Sequence, residues 1–156
     1  MKESDIRIED KLGNAPFYEE IKKTTPHKHE NYYELVYLKK GEGFHWIETE
    51  EYVISTPEIY FLKPAQLHHW QFTSIPKGYV ILFKKSYFLD LYDREILNLI
   101  VRLTNKFRVG IPHDYSPESI FQNILKEYSN NSEFSSKIIK GYLMAFFCKN
   151  LTNCKC

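Results

Sequence analysis

The sequence predicts an α+β chain, mainly β, in which an antiparallel barrel is followed by helices. Up to about residue 85 the chain is a series of short runs rich in Tyr, Phe, Val and Ile, punctuated at even spacing by Gly and Pro. Such spacing argues for an antiparallel sandwich or barrel, and closure into a barrel removes exposed strand edges. From residue 86 the apolar period changes to that of a helix. A division into 1–85 and 86–156 follows, as one structural domain.

The expected strands are Tyr33 to Leu38, Gly43 to Thr49, Glu51 to Ser55, Ile59 to Leu62, His69 to Thr73 and Tyr79 to Phe83. Between them stand Gly41-Glu42-Gly43, Thr56-Pro57, Lys63-Pro64 and Pro76-Lys77-Gly78. Ser86 is read as the cap of a helix reaching about Thr104, with Tyr92, Ile96, Leu99, Ile100 and Leu103 on one face. Ser116-Pro117-Glu118 has the order of a helix start: a cap, Pro at the first position, then an acid at the positive dipole end. Ile120, Phe121, Ile124, Leu125 and Tyr128 follow at helical spacing, and Asn130-Asn131-Ser132 breaks the pattern. A last helix, from about Glu133 to Asn150, carries Ile138, Ile139, Tyr142, Leu143, Phe146 and Phe147. That stripe is wider than one buried face requires. It either packs on both barrel and preceding helix, or leaves Ile139, Tyr142, Leu143, Phe146 and Phe147 for a seam against a second copy.

The 156 residues fit one domain with a real core. The formal net charge is +1, with Lys and Arg dispersed among Asp and Glu. A domain gripping a phosphate backbone is normally more basic, so this chain is not expected to touch DNA itself. The three cysteines, Cys148, Cys154 and Cys156, cluster near the end of the sequence. That argues against a disulfide framework, points to a reducing cytoplasm, and favours reading Cys154 and Cys156 as a reduced tail over half of a metal site. Met1 to Asp5 lacks a signal-peptide core, and no apolar run is long enough for a membrane span.

The chemistry-bearing residues are His27, His29, Glu34 and His68. His27 and His29 share a face by strand alternation. Glu34, five residues beyond His29, needs a bulge or bend near Asn31 to join them. Three imidazoles and a carboxylate suit a Fe, Mn, Ni or Zn ion with positions open for substrate. The same groups also suit a polar pocket, or bonds to one another and to the backbone. His45 and His69 are weaker candidates, and His113, in a loop, is expected to be exposed.

The phrases around these residues carry a resemblance. His27-Lys28-His29, then Glu34 and Gly41, looks like the first cupin motif, and Lys63-Pro64-Ala65-Gln66-Leu67-His68 is similar to the second. Thr56-Pro57-Glu58 replaces a usual Gly, and Ala65-Gln66 stands where Gly is common. The order from Pro26 through Tyr33-Glu34-Leu35, Gly41-x-Gly43-x-His45-x-Ile47, Pro64-x-Gln66-x-His68-x-Trp70 and Gly78-Tyr79-x-Ile81-Leu82-Phe83 resembles the N-terminal domain of AraC-type transcriptional regulators, over about residues 5 to 150.

The resemblance implies a cupin-like barrel that binds a small effector, such as a sugar or metabolite, and helices that mediate dimerisation and pass the signal on. His27, His29, Glu34 and His68 become pocket residues, with Tyr33, His45, Trp46 and Trp70 as a stacking wall or as core. No cofactor is favoured, though a divalent metal at His27, His29, Glu34 and His68 stays open. Such regulators contact DNA through two helix-turn-helix units. Six residues after Asn150 leave no room for them, so the chain is expected to be a sensing domain cut from a longer protein or a free-standing relative. The alternatives are a metal-dependent cupin enzyme and a non-catalytic binding module.

Overall fold

A computed structural model describes residues 6–10, 31–88, 93–112 and 114–152. Its strands are β1 (Ile6–Asp10), β2 (Tyr32–Lys40), β3 (Gly43–Ile47), β4 (Glu50–Val53), β5 (Glu58–Leu62), β6 (His68–Phe72), β7 (Lys77–Lys84) and β8 (Arg108–Gly110). Its helices are α1 (Arg94–Lys106), α2 (Glu118–Asn130) and α3 (Ser135–Thr152). A five-stranded sheet, ordered β1-β7-β2-β5-β8, faces a three-stranded sheet, β4-β3-β6. Every described pairing is antiparallel. The mainly β, α+β fold read from the sequence is the fold observed.

Alternation along the strands decides what lies where. On β2, β5 and β7, the odd-numbered Leu35, Tyr37, Ile59, Phe61, Tyr79, Ile81 and Phe83 join a core shared with the helices. The even-numbered Val36, Leu38, Tyr60 and Leu62 point the other way and meet Ile47, Trp70 and Phe72 of the smaller sheet inside the barrel. The large sheet is therefore buried on both faces, and all five residues of β5 are buried.

The helices cover the outer face. Phe61 packs on Phe146 and Phe147, and Phe121 stacks on Tyr37 and Tyr79. Ile139, Leu143, Phe146 and Phe147 are buried inside this core, so their side chains are not available to a second copy; Tyr142 is half-buried at its edge. Apart from Ile138, which is exposed, the stripe on α3 packs on the barrel and the neighbouring helices. No helix among the described residues is long and apolar enough to cross a membrane.

Several boundaries differ from the sequence reading. In place of one helix from Ser86, a short 3-10 turn spans Lys85–Phe88 and α1 begins at Arg94, with Tyr92 outside the described residues. Ser116 does not cap α2; Pro117 stands at the cap position, with no side-chain cap hydrogen bond. The breaker at Asn131 is real: it adopts the left-handed conformation, and its N–H reaches the Glu127 carbonyl at 3.0 Å. β8 escaped detection because three residues with one apolar side chain carry no period.

The second motif forms a tight turn. Gln66 N–H donates to the Lys63 carbonyl at 3.2 Å, with Pro64 and Ala65 between and Ala65 at φ 64°. This is the residue pattern of a type II turn, whose third position favours Gly. Replacing Ala65 by Gly is expected to raise the free energy of unfolding in a urea titration by about 0.5–1 kcal/mol, because relief of the left-handed Cβ clash exceeds the added chain entropy. A loss of stability would show that the turn does not need this conformation.

Candidate functional site

Glu34 on β2 and His45 and His68 on β3 and β6 all point into the barrel. They come from opposing sheets and meet as a chain. His68 Nε2 lies 3.0 Å from Glu34 Oε2, and His68 Nδ1 lies 3.1 Å from His45 Nε2. Burial is deep: relative exposure is 8% for Glu34, 0% for His45 and 1% for His68. A buried carboxylate and two buried imidazoles are tolerated because they bond one another.

The layer below is aromatic. Trp70 is paired across the strands with His45 and stacks on it, with ring centroids 3.5 Å apart and planes 4° apart. It also stacks on Phe72 at 5.1 Å, and Tyr60 meets His45 and Trp70 edge-on at 4.8 and 5.2 Å. The rings of the expected stacking wall thus pack on each other across the middle of the barrel. Tyr33 and Trp46 belong to other faces. Tyr33 turns toward the helices and stacks on Phe83; Trp46 lies on the outer face of the small sheet, against His69. Alternation explains both, since each is one residue out of phase with an inward neighbour.

At the far end lies a second polar group that the sequence reading did not assign. Glu58 accepts the Tyr60 hydroxyl, the Ser55 N–H at 2.7 Å and Arg108 Nε at 2.7 Å. Arg108 also donates to the Val53 carbonyl of β4 and lies over Tyr52. One guanidinium therefore ties the edge of the large sheet to the small one. Burial, then the bond to Glu58 and its charge, push the Tyr60 phenol far above its ordinary value. Burial acts against the charged form of Arg108, but the Glu58 bond and charge outweigh it and raise that group. Glu58-x-Tyr60 has the spacing of one strand face, which was the available signal; Arg108 sat in a segment without one.

His27 and His29 lie outside the described residues, as do His113, Cys154 and Cys156. Among the described residues no three His, Cys, Asp or Glu side chains converge on a point. Glu34 Oε2 and His68 Nε2 are close enough to share an ion, but that would take the same His68 nitrogen that now faces the carboxylate.

Residues 20–147 match the family model of the AraC-like ligand binding domain. The chain belongs to this family. Among solved structures, ToxT from Vibrio cholerae is similar at a TM-score of 0.52 and 15% identity, over 96% of this chain and 57% of ToxT. An apo ToxT variant gives 0.53 and 12%, over 94% of this chain and 56% of ToxT. The chain thus spans little more than half of ToxT. No curated protein matches it significantly. As an AraC-like ligand-binding domain, this is a ligand-binding unit on a cupin-like barrel.

Exchanging Arg108 for Met leaves the nearly buried Glu58 without its cation. It is expected to cost about 2–4 kcal/mol in denaturant unfolding, somewhat below a fully buried pair because Arg108 is partly exposed. A loss under ~0.5 kcal/mol would mean that the two sheets are not joined here.

Proposed function

We propose that the chain senses a small molecule for an AraC-type transcriptional regulator, binding it at the Glu34–His68 end of the barrel without turnover. The observation that carries this is the buried Glu34–His68–His45 chain, which bridges the two sheets next to an aromatic layer. A few placed polar groups in a concave, mostly apolar interior are what a small-molecule site uses to orient its ligand. ToxT has been crystallised with (E)-4-(8-methylnaphthalen-1-yl)but-3-enoic acid, which supports a small organic occupant here. The effector would favour one state of the barrel by its differential affinity, and the helices packed on β2, β5 and β7 would pass that bias to a DNA-binding portion outside this chain.

The homodimer expected from the sequence moves, in this reading, to the opposite face of α3. There Ile138, Gly141, Ala145 and Cys148 are exposed, one above another, with Phe134 beyond the helix start. A Cβ added at Gly141 would meet nothing within 4 Å. The small residues allow close approach of a second helix.

Two measurements test these readings. Sugars and small metabolites are screened by thermal shift. A true effector at a hundred times its dissociation constant adds about 2.7 kcal/mol of stability. Glu34→Gln, which keeps the volume, is expected to lose most of that gain; an undiminished gain sinks the assignment of the site. Separately, Ala145→Arg is expected to shift sedimentation toward monomer while stability changes by less than about 0.5 kcal/mol. An unchanged sedimentation coefficient removes α3 from the interface.

A further inference from the structure

The two sheets meet along one side where β4, at the edge of the small sheet, faces β8, at the edge of the large one. Among the described residues no backbone hydrogen bond joins these two strands. Side chains close the seam. Arg108 donates to Glu58 of its own sheet, through Nε at 2.7 Å and Nη2 at 3.3 Å, and Nη2 also donates to the Val53 carbonyl of the other sheet. The guanidinium lies over the Tyr52 ring at 5.8 Å, and Phe107 meets that ring at a steep angle, 5.2 Å between centroids. These contacts have substitutes. If the guanidinium withdraws, Glu58 keeps the Tyr60 hydroxyl and the Ser55 N–H, and Arg108, 28% exposed, has water beside it. The two strands are not held equally. β4 is paired with β3 at four positions, and the turn between them is tied down by the Glu48 N–H on the Leu67 carbonyl at 2.8 Å. β8 has three residues, pairs with β5 alone among the described strands, and buries one side chain, Val109. It also continues α1. Phe107, at φ 48°, ends that helix by donating to the Leu103 carbonyl at 2.8 Å, while its own carbonyl accepts the Phe61 N–H of β5 at 2.9 Å.

We propose that Arg108 is a latch: the seam between β4 and β8 opens when its guanidinium lets go, and β8 then leaves β5 together with the last turn of α1. Opening uncovers Tyr60, whose ring meets His45 and Trp70 at the centre of the barrel. The seam is thereby a side entrance to the interior, and α1 moves whenever it opens. A small molecule lodged beside Tyr60 that keeps the seam from closing holds α1 in its displaced position, a route to the helices separate from the outer face of β2, β5 and β7. That use of the latch rests on the reading of the barrel as an effector site; the latch itself does not.

The test is amide hydrogen exchange followed residue by residue by NMR, in the intact chain without effector and over urea concentrations below the unfolding transition. The Phe61 and Phe107 N–H groups are expected to share one opening free energy. It is expected to lie below that of the β2 and β7 amides and to depend less on urea, because a local opening exposes less surface. If Phe61 exchanges only when the whole chain unfolds, β8 does not open by itself and the proposal falls. Arg108→Met is expected to speed exchange at Phe61 and Phe107 by one common factor, about tenfold to a hundredfold, since the bonds it removes exist only in the closed seam. No change at either position, or a change at one alone, overturns the latch. Arg108→Lys keeps the charge but loses the fork that spans Glu58 and Val53, and is expected to fall between the two. Exchange as slow as in the unaltered chain would show that charge suffices and that nothing is bridged. Should Arg108→Met prevent folding, the urea series on the unaltered chain decides alone. Because exchange is read without effector, the latch can fail while a sugar or metabolite still stabilises the chain. Equally, it can hold where none does.

Discussion

The constraint on which the rest depends is that the five-stranded sheet is buried on both faces. One face fills the barrel and the other carries the helices, so every residue of β5 is enclosed. A slip of one residue in the pairing of β2 with β5 or β7 would exchange the two faces. It would drive Glu34 and Glu58 in among Phe121, Phe146 and Phe147. Close backbone approach helps hold the register. A Cβ at Gly78 would lie 1.9 Å from the Tyr37 carbonyl oxygen, just where β2 and β7 shift register between Leu38 and Lys40. Only glycine fits there, so the shift stays where it is.

Enclosing both faces forces the ionic groups to find partners. Glu34 meets His68, Glu58 meets Arg108, and Asp93, before α1, meets Lys140 of α3 at 2.9 Å. These pairs differ in what they join. The first links the two sheets inside the barrel. The second joins the sheets at its rim. The third fixes α3 to the start of α1, with the Lys140 ammonium also over the Tyr87 ring. None is a large source of net stability, since desolvation offsets much of the attraction. Their effect is on geometry: each is satisfied in one arrangement of the elements it joins.

The sequence made the strands legible because alternation is a local signal. Tyr33 to Leu38 and Ile59 to Leu62 each carry apolar residues on both faces, bounded by Gly or Pro. It made the site legible in part. Glu34 and His68 were found through phrases of known spacing, and their mutual contact is the non-local fact no spacing contains. His45 looked weak as a lone imidazole, although Ile47 on the same face gave its direction. Tyr33 and Trp46 were grouped with the pocket by type, whereas position within the alternation places them elsewhere. The α3 stripe posed the reverse difficulty. Its apolar width suggested a partner, but a sheet with a whole outer face to cover already supplies one. Arg108 was hidden because its role depends on a strand of three residues formed by tertiary pairing alone.

The two tryptophans lie on opposite sides of one thin sheet, one enclosed against an imidazole and the other half-exposed beside His69. They give the chain two optical reporters separated by a single layer of backbone. Iodide in solution is expected to reach the half-exposed Trp46 and not the buried Trp70, which would assign the quenched and unquenched parts of the emission to different places. The shielded part is sensitive to the His45 ring that touches it. Changes at the centre of the barrel are thereby visible in the intrinsic fluorescence, without a label and without knowledge of what enters.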